Sequence, residues 1–486
     1  MTEPGAFSGR ENGRLDRWFP GIVALIVALA AAPRVIVALH TPLAFDEIYA
    51  VMLARTGLAG LIHTLAHDVD QPLHYILVWL WRMVGGEGER WIKVLPLIWS
   101  LATVALVAIM GRRLFGAAAG LGAAALLAVQ PTHIFFSQQA SFHAMVWCLL
   151  PLAFLCAWRW IERPSAPSAF GFVLAAAAAI YTDHFSYIVT GAIGLWGIVS
   201  LLRRPKQALA WLGLLAAVFA LYIPQLPTLL VQWQRDVQGE RSLPPLGIAE
   251  IMDMLRKLGM NATYLVVPLL ILALLPLLRR ESRRAAFAIW FVCVAGVLVP
   301  WALSTAGIHL YISRQMYFVF PFFCVLISAG LVGLRWKPVG YAILGLLVLF
   351  GARSWMSRKP SPESVELPRA VEYLKAHATQ DDVVFCAETR ALLFVIYHLP
   401  DRVQAKLLIM PKSEAFHYSD GILVVTPDRQ VGFDEWNEWR KTHERWWGLR
   451  LQHAGRDGPE AAEAMSSAAR DKITMERVTL WKGGAN

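Results

Sequence analysis

The chain has 486 residues, 57% of them hydrophobic and 16% charged, with a mean hydropathy of +0.48. That balance excludes an ordinary soluble globular enzyme. The formal charge of +10 needs no nucleic-acid partner, because most of the surplus sits in short loops between apolar segments, where it sets orientation in a membrane.

The opening MTEPGAFSGRENGRLDRWFP is too long and polar for a signal n-region, and no small-residue cleavage site follows. The first apolar segment, 18–39, is therefore expected to stay as an anchor. Basic clusters follow at Arg112-Arg113, Arg159 to Arg163, Arg203 to Lys206, Arg279 to Arg284, and Arg335 to Lys337. If all of them face one side, the apolar runs at 18–39, 92–111, 117–136, 142–161, 168–183, 185–202, 207–229, 261–278, 285–303, 316–334 and 338–355 satisfy the parity, each near the length a bilayer demands. The run Pro72 to Gly85 would break that parity. It is short, starts at a proline and carries Trp79 and Trp81, so it is expected to be an interfacial, non-spanning helix. The expectation is a polytopic α-helical membrane protein of about eleven spans with a cytoplasmic N-terminus. The outer loops are then 40–91, 137–141, the turn at Asp183-His184, 230–260 and 304–315.

Beyond about residue 355 the apolar spans stop. In the tail, ESVELPRAVEYLKAHA reads as a helix, DVVFCAE and GILVVTP as buried strands, and FDEWNEWRKTHERWW as a helix. This alternation predicts a small α/β domain over 356–486 on the outer face, against a membrane domain over 1–355. Neither half carries a G-x-G-x-x-G or P-loop pattern. Cys148, Cys156, Cys293 and Cys324 lie in apolar segments and Cys386 in the tail, so the five cysteines read as small hydrophobes, with no disulfide framework and no zinc spacing.

The chemistry-bearing residues fall in the outer loops. Asp46 and Glu47 stand just beyond the first span, where an acidic pair suits general-base or cation-binding work. His63 and His67 are spaced to share one helical face, with Asp68 and Asp70 beside them, which leaves room for a divalent metal. His133, His143 and His184 read as hydrogen-bonded residues at helix ends, and the twenty tryptophans as interface belt and core.

FDEIYA (45–50), HDVDQPLHY (67–75), RRLFG (112–116) and FFSQQASFHA (135–144) follow one another in an order that resembles the GT-C glycosyltransferases. In particular it resembles the bacterial relatives of protein O-mannosyltransferases and of the aminoarabinose transferase of lipid A. The resemblance covers the membrane portion, most clearly 40–190. It implies Asp46 as the general base, with Glu47 its neighbour and Asp68 the aspartate of the second element. Asp70, Gln71 and His74 stand where that family has His, Pro and Tyr. In the third element Ser137, Gln138 and Ala140 match, whereas Gln139 replaces Glu and Ser141 replaces Arg. YTDHFS (181–186) is similar to the family's Y-T-H-Y-F turn with its histidine, His184, displaced by one. ISRQMYFVFP (312–321) resembles its R-Y element, with Met316 between Arg314 and Tyr317.

The resemblance implies transfer of a sugar from a polyprenyl-phosphate donor to a glycan, lipid or protein acceptor, at the outer face of a bacterial inner membrane. Glu47, Asp68, Asp70, His74, Gln138, Gln139, His184, Arg314 and Tyr317 would then contact donor or substrate. The chemistry agrees: an acceptor hydroxyl needs a carboxylate, and a departing phosphate needs a fixed cation. Arg314 suits that cation with its planar fork, and reads alternatively as an interfacial snorkelling residue. Direct attack would invert the anomeric centre. A transporter would place its charges at mid-membrane, and here they crowd one surface. The Gln139 and Ser141 replacements keep open a non-catalytic, lipid-binding or scaffold subunit.

Overall fold

The computed structural model describes residues 11–66, 68, 70–237, 247–307, 313–358, 362–399, 403–409, 429–443, 445–451, 459–475 and 478–483. The chain opens with α1 (Glu11–His40), the first long apolar helix. Then come three shorter helices, α2 (Phe45–Arg55), α3 (Gly57–Ala66) and α4 (Pro72–Gly85). FDEIYA is thus the first turn of a helix rather than a loop. Asp46 and Glu47 lie where the helix N-terminus favours negative charge, which explains the difference. At 14 residues α4 extends for about 21 Å, against the ~30 Å of hydrocarbon.

A short α5 (Glu89–Ile92) leads into α6 (Val94–Phe115), which turns back into α7 (Ala117–Ala128). The turn needs its glycine: Gly116 has φ +97°, and its N–H donates to the Arg112 carbonyl at 3.0 Å. The small α8 (Pro131–Phe136) precedes α9 (His143–Glu162), α10 (Ala166–Ile180), α11 (Ser186–Leu201), α12 (Pro205–Tyr222) and α13 (Leu226–Val237). The helices α14 (Ile248–Leu258) and α15 (Thr263–Leu274) follow, and with the residues to Leu278 they form a pair bent by 80°. At the bend Met260 and Asn261 have positive φ although neither is glycine. Three further helices, α16 (Arg280–Thr305), α17 (Val319–Val332) and α18 (Lys337–Met356), complete the apolar part.

Among the described residues seven helices are long and apolar enough to cross a membrane, and eight if the bent pair is one span. The shorter apolar helices α7 and α11 fall within the expected runs 117–136 and 185–202, and α10 begins two residues before the expected run 168–183. This is the helix bundle of a multi-pass membrane protein, with a core in which α9 and α17 are almost wholly enclosed. Free cysteines, four buried and Cys156 partly so, pack as small hydrophobes.

The tail holds α19 (Pro362–His377), β1 (Val383–Cys386), α20 (Thr389–His398), β2 (Gln404–Ile409), β3 (Gln430–Gly432), α21 (Phe433–Thr442), β4 (Trp446–Leu451), α22 (Pro459–Ala468), β5 (Asp471–Thr474) and β6 (Val478–Gly483). The strands form one sheet in the order β3-β2-β1-β4-β6-β5, with β3, β2, β1 and β4 parallel and β6 antiparallel to both its neighbours. The α/β expectation holds in kind, with one boundary corrected. The helix expected over 433–447 ends at Thr442, and Trp446 and Trp447 belong to β4, as suits aromatic side chains buried on a sheet. The expected strand at 421–427 lies outside the described residues.

By its contacts the chain divides into two compact units. One comprises residues 1–40, 70–77 and 90–358; the other comprises 41–69, 78–89 and 359–486. The segment around Asp46 thus clusters with the tail.

Candidate functional site

In the unit built around the sheet, α2 carries the acidic pair. Asp46 is half-buried in the first turn, and Glu47 beside it is buried. One Glu47 carboxylate oxygen accepts from the Ala44 backbone N–H at 2.7 Å, while the Glu47 N–H donates to the Ala44 carbonyl. Glu47 therefore closes the helix start and fixes the direction in which Asp46 leaves it. Further along α2, the Tyr49 hydroxyl donates to the buried Asp68 carboxylate at 2.7 Å. Two arginines grip Glu87: Arg82 donates to its Oε1, and Arg55 to its Oε2 at 2.8 Å. These contacts hold the Glu87 carboxyl below the usual range against the opposing effect of burial. The same unit seats α2 against α20, with Arg390 over the Phe45 ring and Arg55 over the Tyr397 ring.

His63 lies on α3, and His67 falls outside the described residues. Among the described residues no three His, Cys, Asp or Glu side chains come together as a metal set.

In the helical unit the second and third motifs meet. The buried His74 ring donates from Nε2 to the Ala140 carbonyl at 3.1 Å, tying the start of α4 to the turn that carries Gln138 and Gln139. Burial lowers the His74 pKa to about 4, so the ring is neutral there. The Tyr75 hydroxyl donates to Asp70. Gln71, also buried, donates its amide to the His184 imidazole at 3.0 Å and accepts from the Tyr222 hydroxyl at 3.5 Å. Asp183, in the same turn as His184, accepts from the Gln315 amide at 2.8 Å. Gln138 is buried and Gln139 half-buried. Where the family has Arg, Ser141 instead places its Oγ 3.0 Å from His143 Nδ1.

Arg314 and Tyr317 occupy a short 3-10 turn, Ser313–Phe318, that leads into α17. Arg314 and His74 both lie within electrostatic reach of His143. Tyr317 is buried, its hydroxyl bonded by Lys257 and 3.2 Å from Asp253 Oδ2. Lys257 also pairs with Asp253 at 2.7 Å one helical turn away, and its carbonyl accepts from Gln130 at 2.8 Å. Lys257, Asp253 and Gln130 lie in none of the motifs and join this cluster through the fold. The signal was the Asp253–Lys257 spacing on an amphipathic helix in the loop 230–260.

A further polar residue outside the motifs is Arg34, wholly buried in α1. It donates to Ser100 Oγ at 3.0 Å, to the Ala30 and Ala128 carbonyls at 2.7 and 2.9 Å, and to His133 Nδ1 at 2.8 Å. A lone arginine in an apolar span was the signal available.

Comparison of the sequence with protein-family models and with curated proteins finds no match. Solved structures do match. ArnT from Cupriavidus metallidurans in the apo state is similar with a TM-score of 0.64 at 13% identity, over 96% of this chain and 99% of that one. The same enzyme bound to undecaprenyl phosphate gives 0.60 at 12% identity over the same shares. An Archaeoglobus fulgidus oligosaccharyltransferase tethered with an acceptor peptide gives 0.50 at 12% identity, over 80% of this chain and 63% of that one. The chain has the fold of the GT-C membrane glycosyltransferases.

Proposed function

We propose that the protein transfers a sugar from a polyprenyl-phosphate donor to an acceptor at the outer face of a bacterial inner membrane. The observation that carries this reading is the match, end to end in both chains, to an ArnT that holds undecaprenyl phosphate. In this reading Asp46 takes the proton of the acceptor hydroxyl. Its place in a helix turn braced by Glu47 suits a base that must be held in direction. Arg314 and Lys257 neutralise the departing phosphate, with the Tyr317 hydroxyl bonded to Lys257 setting that ammonium in place. Glu47 acts through the helix start and Asp68 through Tyr49, so both position rather than touch the sugar. Attack is direct and inverts the anomeric centre.

The uncharged third motif, Gln138 and Gln139 with Ser141 bonded to His143, favours a second reading, a lipid-binding subunit without transfer. One experiment separates the two. The purified protein is analysed by mass spectrometry for co-purified lipid, then supplied with labelled polyprenyl-phosphate sugars and an envelope extract as acceptor source. Bound polyprenyl phosphate together with label transfer supports the enzyme. Bound lipid without transfer supports the subunit, and neither sinks both.

A further inference from the structure

A cleft of about 920 Å³ opens in the helical unit beside the Phe115-Gly116 turn, within the ~300–1,000 Å³ typical of ligand pockets. Its long walls are apolar, with Ile26 from α1, Leu121 and Ala125 from α7, and Leu344 from α18. Both α1 and α18 pack on α7, and both turn leucines outward, such as Leu29 and Leu349, each about two-thirds exposed (65% and 67%). A cleft rimmed by such helices is entered from lipid rather than from water.

Its polar residues gather where helices begin. Arg279 and Ser282 lie at the start of α16 with Glu281, and Lys337 at the start of α18. Arg279 donates to the Gly333 carbonyl, and a Cβ at Gly333 would collide with that guanidinium, so the glycine makes the seat for the cation. Arg280, Arg283, Arg284 and Arg335 adjoin in sequence, which leaves this end strongly basic. A basic pocket between membrane helices, open to acyl chains, selects a lipid with an anionic headgroup.

We propose that this cleft binds an anionic phospholipid of the leaflet that the basic loops face. The acyl chains lie along Leu121 and Ala125, and the phosphate sits at Arg279 and Lys337. The site is independent of the sugar-transfer reading and gives the Leu-Phe-Gly turn a part that the donor chemistry does not. The full-length protein in mild detergent is titrated with phosphatidylglycerol, phosphatidylcholine and undecaprenyl phosphate, and retention is read by native mass spectrometry. Phosphatidylglycerol should be retained about tenfold or more over phosphatidylcholine, whose choline adds to the same phosphate a cation that a basic pocket repels. The double variant Arg279→Gln, Lys337→Gln should lose that preference, and Ala118→Phe, which narrows the cleft, should weaken both lipids. Equal retention of the two phospholipids by the wild type, or a preference unchanged in the double variant, overturns the proposal. So does displacement of phosphatidylglycerol by equimolar undecaprenyl phosphate, which would assign the cleft to the donor.

Discussion

Arg34, buried in the first apolar helix, donates from Nη2 to His133 Nδ1 at 2.8 Å. Accepting from a cation fixes the imidazole as neutral, with its proton on Nε2. The same guanidinium takes up the Ala128 carbonyl at the end of α7, so one side chain closes a helix terminus that the bilayer offers no water to satisfy. Arg34→Met should lower thermal stability, since each orphaned acceptor costs about 1–3 kcal/mol. Arg34→Lys should recover only part, because an ammonium cannot reproduce the fork. A melting temperature equal to wild type for the Met variant would show that Arg34 is no cap.

Asp46→Asn keeps size and polarity but removes proton uptake. Sugar transfer should fall by roughly two to four orders of magnitude with lipid binding and melting temperature unchanged. Glu47→Gln weakens the bond to the Ala44 N–H, so it should reduce transfer less and also lower stability. Wild-type turnover by the Asn variant would move the base elsewhere, with Asp68 and Asp70 next to test.

Arg314→Ala should weaken donor binding by about 1.5–3 kcal/mol, measured by titration with undecaprenyl phosphate. Arg314→Lys should restore part of it. Lys257→Met should act in the same direction and add a stability loss, since it also breaks the contacts with Asp253 and Tyr317. Unchanged affinity in the Ala variant would assign Arg314 to membrane anchoring.

The topology is open to cysteine labelling, and the native cysteines, mostly buried, give little background. Gly86 and Gly116 have positive φ, so probes there would strain the backbone. Gly88→Cys and Lys206→Cys avoid that and should label from opposite sides of the membrane. Labelling from one side would end the parity argument.

His74 makes stability depend on pH. Its pKa in the fold, about 4, lies below the ordinary 6.5, so between those values the unfolded chain holds more protons. Stability should therefore fall as pH drops from about 6.5 to about 4, by up to roughly 3 kcal/mol from this residue. Melting curves of wild type and His74→Gln across that window test it. The slope should be shallower in the variant, and equal slopes would remove His74 as the cause.

The long apolar helices were legible because bilayer thickness dictates length and apolar run, two properties read directly from residues. The site was legible only in part. The acidic pair at 46–47 stands out in a sequence, but that it starts a helix depends on the Ala44–Glu47 bond, which no periodicity announces. His74 looked like a donor contact from its motif, yet its ring is spent on the Ala140 carbonyl, a partner distant in sequence. Lys257 is hidden for a like reason: its pairing with Asp253 is local to α14, but its bond to Tyr317 forms only when α14 meets the turn before α17. Trp446 and Trp447 continued a helical pattern locally, and only pairing with β1 and β6 made them strand.

The grouping of residues 41–69 and 78–89 with the tail has a consequence for biogenesis. The helix that bears Asp46 leaves the ribosome early, but α20, against which it packs, is made only after every apolar helix of the bundle. At ~5–20 residues per second, that interval lasts tens of seconds. During it the carboxylate helix lacks its support, so a chain stalled before residue 389 would insert as a bundle yet be unable to seat the helix that carries Asp46. Membrane insertion and maturation of this unit are thus separate events in the life of one chain.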